Sequence, residues 1–354
     1  MKFLHQINLP IMIASLFLLS MGILVIYSSS PQLAIQQLIF AILSFSLFIF
    51  VSNFDYRVIK NFTSTLYLCI LLLLVGVLVL GVETRGAIRW IPLGLFNIQP
   101  SELAKPVLIL TLADFWSRNS ATFKNILKSL MITLPLLFLV FQQPDLGSTL
   151  TILAIWLGML FAAGVQLRKI SVLIIVSLLL VPLIWFSLQE YQKERIFGFI
   201  APQTDPLGKG YNLIQSTIAV GSGEFFGRGL GRGTQSRLQF LPEFRTDFIF
   251  ASIAEEMGFI GSMIIIILYL FLIIVITAVS TNVIDYFGHL LVFGVCAMLL
   301  FQTFVNIGMN VGLLPITGIT LPLMSYGGSS LLSTFICLGL VSSVSRYRKK
   351  VDTE

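Results

Sequence analysis

Apolar residues run on along most of the chain without the polar interruptions that a water-facing helix or strand would carry. Ten such runs, at about 9–28, 32–53, 61–81, 101–116, 125–143, 147–165, 170–187, 247–279, 284–308 and 322–344, read as membrane-crossing helices. A hydrocarbon core about 30 Å thick takes roughly 20 apolar residues per helical crossing, and the backbone inside it must satisfy its own hydrogen bonds. The runs are continuous and do not alternate as barrel strands do. The expected class is therefore all-α: a polytopic membrane protein of about ten transmembrane helices, forming one integral membrane domain over residues 1–354. The fourth run, SELAKPVLILTLADFW, carries three charges and Pro106, which admits a partly re-entrant path. The eighth is long enough to tilt, or to begin as an interfacial helix before Gly258. Lys2 followed by an apolar run has the form of a signal peptide, but a second run follows almost at once, so the first is expected to be an uncleaved helix.

One long stretch breaks the pattern. Residues 188–246 contain no run long enough to cross, and form the loop expected between the seventh and eighth helices. Loops of this length are usually functional or disordered, and this one is rich in aromatics and turn signals. Composition agrees with the membrane reading: 56% of residues are apolar and 11% charged, with a mean hydropathy of +0.95. The net charge of +6 points to anionic lipid and not to nucleic acid, because no basic block is interleaved with aromatics in a soluble domain.

Lys2, Arg57, Lys60, Arg118, Lys124, Lys128, Arg168, Lys169, Arg346, Arg348, Lys349 and Lys350 fall in the flanks and short loops of one side. That side is expected to be cytoplasmic and to hold both termini. The remaining basic residues gather in or beside 82–105 and 188–246, on the outward side. Cys69, Cys296 and Cys337 lie inside apolar runs, match no metal spacing, and read as small core residues.

The stretch Leu241 to Gly258, LPEFRTDFIFASIAEEMG, places acids where the membrane resists them. A carboxylate at mid-bilayer costs about 2.5–3.5 kcal/mol on insertion scales and marks a functional site by default. Asp247, at the mouth of the eighth run, is the leading catalytic candidate. Glu255 and Glu256 lie about 80° and 180° from it on one continuous helix, so the three cannot share a face. Glu102 and Lys105, three residues apart, form either a structural ion pair or the floor of an outward cavity below Arg85, Arg89 and Trp90. Asp145 in QQPDLGS is a helix cap or a ligand-facing carboxylate. Gln302, Asn306 and Asn310 recur every four residues, as interhelical hydrogen bonders or as sugar contacts. The run GSGEFFGRGLGRG places Arg228 and Arg232 among glycines whose amides could approach an anion. Asp114 is given no chemistry.

The strings GAIRWIPLGLFNIQPSELAKP, QPDLGSTL, DPLGKGYNLIQS, GTQSRLQFLPEFRTDFIFASIAEEMGFIG and GLLPITGITLPLMSYGGSS resemble, in order and spacing, the RodA/FtsW or SEDS family of peptidoglycan glycosyltransferases. PITGITLP and GTQS are closer to the elongation branch, RodA, than to the division branch, FtsW. The resemblance implies ten helices, an outward cavity, and polymerisation of lipid II into glycan strands during cell elongation and shape maintenance. It also implies a class B penicillin-binding protein as partner and a location in the bacterial cytoplasmic (inner) membrane with the active site facing outward. The family's catalytic aspartate falls on Asp247, which would act as general base, and other cavity residues fall on Glu102, Lys105 and Asp145. Substrate contacts are further expected from Arg85, Lys209, Gln215, Ser216, Arg228, Arg245, Asn306, Ser325 and Ser329. A divalent cation, Mg²⁺ or Mn²⁺, is the one cofactor candidate, helping the basic residues to stabilise the departing pyrophosphate. Arg245 stands where many relatives have His, and Thr320 where they often have Pro. A lipid II flippase or other transporter, a subunit that only recruits a transpeptidase, and an FtsW-type division polymerase are the alternatives. No inverted repeat is visible to favour transport.

Overall fold

The computed structural model describes residues 7–84, 87–92, 97–238 and 240–347. Lys2, Arg348, Lys349 and Lys350, used above for orientation, and Arg85 lie outside the described residues. Each of the ten apolar runs falls on a helix: α1 (Leu9–Ser29), α2 (Pro31–Asn53), then after a short α3 (Tyr56–Lys60) α4 (Thr63–Leu80). A small antiparallel sheet follows, β1 (Val82–Thr84), β2 (Ala87–Pro92) and β3 (Asn97–Ile98), which the hydropathy pattern did not announce. Next come α5 (Pro100–Arg118), α6 (Phe123–Gln142), α7 (Leu146–Ala162) and α8 (Leu167–Ser187). The long inter-helix stretch itself carries three helices, α9 (Glu190–Ile200), α10 (Tyr211–Ser222) and α11 (Thr234–Arg237). The bundle ends with α12 (Ile249–Thr281), α13 (Tyr286–Asn310) and α14 (Gly328–Arg346).

Six of these helices are both long and apolar enough to cross a membrane by themselves, among the described residues: α1, α2, α6, α12, α13 and α14. The protein is a multi-pass membrane protein. Its spans differ in what they face. In α13 and α14, 67% and 72% of the spanning window is buried within the protein, against 28% in α2 and α6. The first two are thus the axis of the bundle, while α2 and α6 turn most of their surface to lipid. Cys296 and Cys337 lie on the two central helices and are buried, as expected, but Cys69 is exposed on α4 and is not a core residue. Thiols are small and apolar enough to face lipid as readily as protein.

Caps explain the helix starts. Asp145 Oδ1 accepts the Ser148 amide at the head of α7 (3.1 Å), and Asp285 Oδ2 accepts that of Gly288 at the head of α13 (3.1 Å). The fourth run is a single helix through Pro106, with no re-entrant turn. The last helix begins at Gly328, later than 322, because the apolar residues before it form a non-helical loop. Gly312, Gly318 and Leu323 take positive φ there (80°, 75° and 69°). α12 breaks at Gly258 (φ 67°), where the amides of Phe259 and Ile260 bond instead to the carbonyls of Glu224 and Phe225 (2.9 and 3.3 Å). A side chain at Gly258 would collide with the Gly227 amide at 2.2 Å.

The ends of the bundle contrast in chemistry. At the α13 N-terminal end, Arg57 lies 4.5 Å over the Tyr347 ring, Lys60 and Arg118 pair with Asp114 (3.8 and 2.8 Å), and Tyr56 bonds Asp285. At the other end, α10 and α11 pack on α12, the loop before α14 bonds to the turn that precedes it, and the β-sheet lies against α4, α5 and α14.

Candidate active site

The turn Leu241–Phe248 feeds α12 and carries Asp247 two residues before the helix begins. It is anchored by Leu241, Phe244, Phe248 and Ala251, which pack with Ala219 of α10 in an apolar cluster of their own. Its backbone is held from outside. The Arg245 carbonyl accepts the Tyr326 amide (2.8 Å), the Thr246 carbonyl the Ser325 hydroxyl (2.6 Å), and the Asp247 carbonyl the side-chain amides of Asn306 (2.9 Å) and Asn310 (3.0 Å). These donors come from α13 and from the loop before α14.

Charged groups from four different segments surround the Asp247 carboxylate. Gly318 lies beside both it and Arg195 of α9: a Cβ there would lie 3.5 Å from Asp247 Oδ2 and 3.3 Å from Arg195 Nη1. Burial pushes the Asp247 carboxyl up to about 6, Arg195 and Arg89 oppose that rise, and the like charges of Glu243 and Asp145 add to it. Arg89 on β2 donates from Nε to the Gln143 carbonyl (3.0 Å) and from Nη2 to that of Pro144, bracing the turn that delivers Asp145. Asp145 Oδ2 accepts from Gln99 Nε2 (2.8 Å) and Ser101 Oγ (2.9 Å), so this residue is both the α7 cap and a buried acid at the site. An aspartate held near pKa 6 is largely ionised at neutral pH yet a stronger base than an ordinary carboxylate, which suits proton abstraction.

The other expected site residues are distributed more widely. Glu102 and Lys105 form a buried pair at 2.6 Å on α5, and Ser333 of α14 donates to the Glu102 carbonyl (2.8 Å). Ser329 Oγ accepts the Gln99 amide (3.0 Å) and donates to the Asn97 carbonyl (3.2 Å), joining α14 to the strand that precedes Glu102. Gln215 is partly exposed on α10, and Ser216 Oγ donates to the Asn310 carbonyl (2.8 Å). Lys209 pairs with Glu194 at 3.5 Å on the surface. Arg245 turns away to α1, donating to Ser29 Oγ (3.1 Å) and lying 4.4 Å over the Phe244 ring; burial lowers its pKa. Arg228 is exposed and donates to the Ser222 carbonyl (3.1 Å) and to Thr234 Oγ1 (3.2 Å).

One amide of the glycine-rich run, that of Gly231, does meet an anion, but the anion belongs to the protein. Gly231 donates its amide to the Glu256 carboxylate, which also accepts the Ser28 hydroxyl (2.7 Å). Glu255 accepts the amides of Gln235 (2.8 Å) and Ser236 (3.1 Å) and the hydroxyls of Thr234 (3.1 Å) and Ser236 (3.0 Å). The amides of Arg228 and Gly229 bond to the Glu255 and Glu256 carbonyls (3.0 and 2.9 Å). Neither glutamate joins Asp247.

Arg195 and Glu243 were not singled out in the sequence. Arg195 sits in the mixed-charge string EYQKERIFGF, which offers no contrast between one charge and its neighbours. The signal available for Glu243 was its place four residues before Asp247 in the turn LPEFRTDF. For the expected divalent cation, no group of three or more His, Cys, Asp or Glu side chains among the described residues could hold a metal ion.

The chain is similar over almost its whole length to known proteins. The family model described as cell cycle protein, covering FtsW, RodA and SpoVE, matches residues 3–350. The peptidoglycan glycosyltransferase MrdB of Escherichia coli K12 is 40% identical over 84% of this chain and 81% of its own length. RodA of Treponema pallidum is 34% identical over 95% and 96%. Among solved structures, one described as the structural coordination of polymerization and crosslinking by a peptidoglycan synthase complex superposes with a TM-score of 0.84 at 34% identity, covering 97% of this chain and 99% of the other. The rod shape determining protein RodA of Thermus thermophilus superposes with a TM-score of 0.73 at 30% identity, covering 97% and 98%. With a family model spanning nearly every residue and relatives 40% and 34% identical over most of its length, this chain is a member of the FtsW/RodA/SpoVE family.

Proposed function

We propose that this chain is a peptidoglycan glycosyltransferase that polymerises lipid II in cell elongation, with Asp247 as general base. The observation that carries the reading is the placement of Asp247: a carboxylate set outside its helix, sheltered enough to be raised to about 6, and faced by Arg195 and Arg89. The acceptor sugar's carbon-4 hydroxyl gives its proton to the Asp247 carboxylate as its oxygen bonds to the donor's anomeric carbon. The bond from that carbon to the phosphate oxygen breaks, and undecaprenyl pyrophosphate departs with the electron pair. The leaving group needs positive charge more than a proton, and Arg195 and Arg89 supply it in bidentate-capable form. A single displacement inverts the anomeric centre.

Glu102 and Lys105, buried below the β3 segment, support the floor of the same cavity in this reading. The site faces outward, with both termini in the cytoplasm of a cell whose inner membrane holds the protein. The partner is a class B penicillin-binding protein that crosslinks the new glycan, in keeping with the polymerisation and crosslinking that the structural relative's description couples. A division role is the second reading. It is favoured by 38% identity to the probable peptidoglycan glycosyltransferase FtsW of Pseudoalteromonas translucida over 98% of this chain. Depletion separates the two: loss of an elongation enzyme rounds the cells, and loss of a division enzyme leaves filaments.

The reading is tested with Asp247→Asn in the purified complex supplied with lipid II. No glycan strand should form while protein level and partner binding persist; strand synthesis at the wild-type rate rejects the assignment. In the wild type, a base that must be ionised makes the rate fall about tenfold per pH unit below about 6.

A further inference from the structure

Asp247 is kept out of α12 by a side chain. In an uninterrupted helix the Ala251 amide would donate to the Asp247 carbonyl four residues back. Here Ala251 donates to Asn310 Oδ1 (3.0 Å), and Asn310 Nδ2 donates to the Asp247 carbonyl (3.0 Å), so one primary amide is inserted where a single backbone bond would close. Asn306, one turn earlier on α13, gives a second bond to the same carbonyl (2.9 Å) and one to the Ile319 carbonyl (2.7 Å), next to Gly318, which lies beside both Asp247 and Arg195. Asn310 Nδ2 also reaches the Asn306 carbonyl (2.8 Å), and both asparagines are fully buried. A generic contact between helices would satisfy each amide on its nearest neighbour. These two converge on one peptide, the one that carries the acid.

We infer that Asn306 and Asn310 are positioning residues for the reaction: by holding the Asp247 carbonyl they fix its Cα–Cβ direction and aim the carboxylate at the space beside Arg195. This rests on the reading of Asp247 as general base. With the backbone pinned, only two side-chain torsions remain to place the carboxylate. Displacement of a reacting group by about 1 Å can cost about 100-fold in rate. Without the inserted amide, the Ala251 amide can close directly on Asp247, drawing it into α12 and rotating its side chain. The charged groups whose distances would then change are Arg195, Arg89, Glu243 and Asp145.

The test measures lipid II polymerisation by the full-length chain in complex with its transpeptidase, across pH, for Asn306→Leu and Asn310→Leu. Both keep the volume and lose the amide. The expected result is a fall in kcat of about 10- to 100-fold with KM for lipid II nearly unchanged. The acid limb of the pH–rate profile should move down towards the ordinary aspartate range, because the carboxylate leaves its sheltered place. Asn306→Gln, which retains a donor, should recover part of kcat. Thr303→Val, a buried change on the same helix at a hydroxyl with no hydrogen-bond partner, should leave both kcat and the limb as they are. If the leucine variants do not accumulate as folded protein, Asn310→Ser is read in the same way. An unmoved limb with kcat reduced only in proportion to folded protein, or unchanged kcat, overturns the inference while Asp247→Asn remains inactive. An active Asp247→Asn would instead remove the base assignment beneath it.

Discussion

Asp247 and the pair Glu255 and Glu256 lie within ten residues of one another, in the same string, at the head of the same helix, and the fold treats them oppositely. The Glu255 carboxylate is closed over by two amides and two hydroxyls, and Glu256 by the Ser28 hydroxyl and the Gly231 amide. These donors compensate the burial of both acids and staple the glycine-rich loop to α12. Around Asp247 the protein instead spends its hydrogen bonds on the backbone, and leaves the carboxylate among two arginines and two other acids beside a glycine. An acid saturated by its own chain has no capacity left for a substrate; one whose backbone is fixed and whose carboxylate carries no such set of donors does. Chemistry follows from that difference and not from acidity.

Arg195→Ala sharpens the contrast most, because it removes the charge that the Asp247 site has and the glutamate sites lack. Loss of a preformed cation at the leaving group is expected to lower the polymerisation rate by about 100- to 1000-fold with the fold intact, measured as glycan formed per folded molecule. Glu102→Leu comes next. It leaves Lys105 buried without its partner at 2.6 Å and should destabilise the protein by about 3–5 kcal/mol, read from thermal unfolding in detergent. Glu255→Ala strands the donors at residues 234–236. It should cost about 1–3 kcal/mol and open residues 224–238 to protease, while rate per folded molecule stays near that of the wild type. Cys69→Ser, at an exposed site on α4, should change stability by no more than about 0.5 kcal/mol.

Helices were legible wherever apolar runs were continuous, because the membrane imposes one length and one secondary structure on such runs. Legibility failed where apolar residues serve a loop: LPLMSYG before α14 is as apolar as a helix start, yet Leu323 has φ 69° and the Ser325 hydroxyl is spent on the Thr246 carbonyl. Asp247 stood out in the sequence because one carboxylate at a span mouth is costly. The four-residue recurrence of Asn306 and Asn310 was visible as well, but not that both would meet a carbonyl 59 and 63 residues away. The same limit hid Arg195, which reaches Asp247 only through the folding of α9 over the bundle. In the glycine-rich run the partner was not legible: one amide, that of Gly231, meets an anion, and that anion is the chain's own Glu256.

In the proposed function one acid of this string does chemistry and its neighbours do structure. Asp247→Asn and Glu255→Ala, prepared side by side and assayed for both lipid II polymerisation and thermal midpoint, test it most directly. The account predicts crossed outcomes. Asp247→Asn makes no glycan and melts no lower than the wild type, since it neutralises a carboxylate whose ionised form is disfavoured by burial, and Glu255→Ala makes glycan but melts lower. Glycan synthesis by folded Asp247→Asn would contradict it.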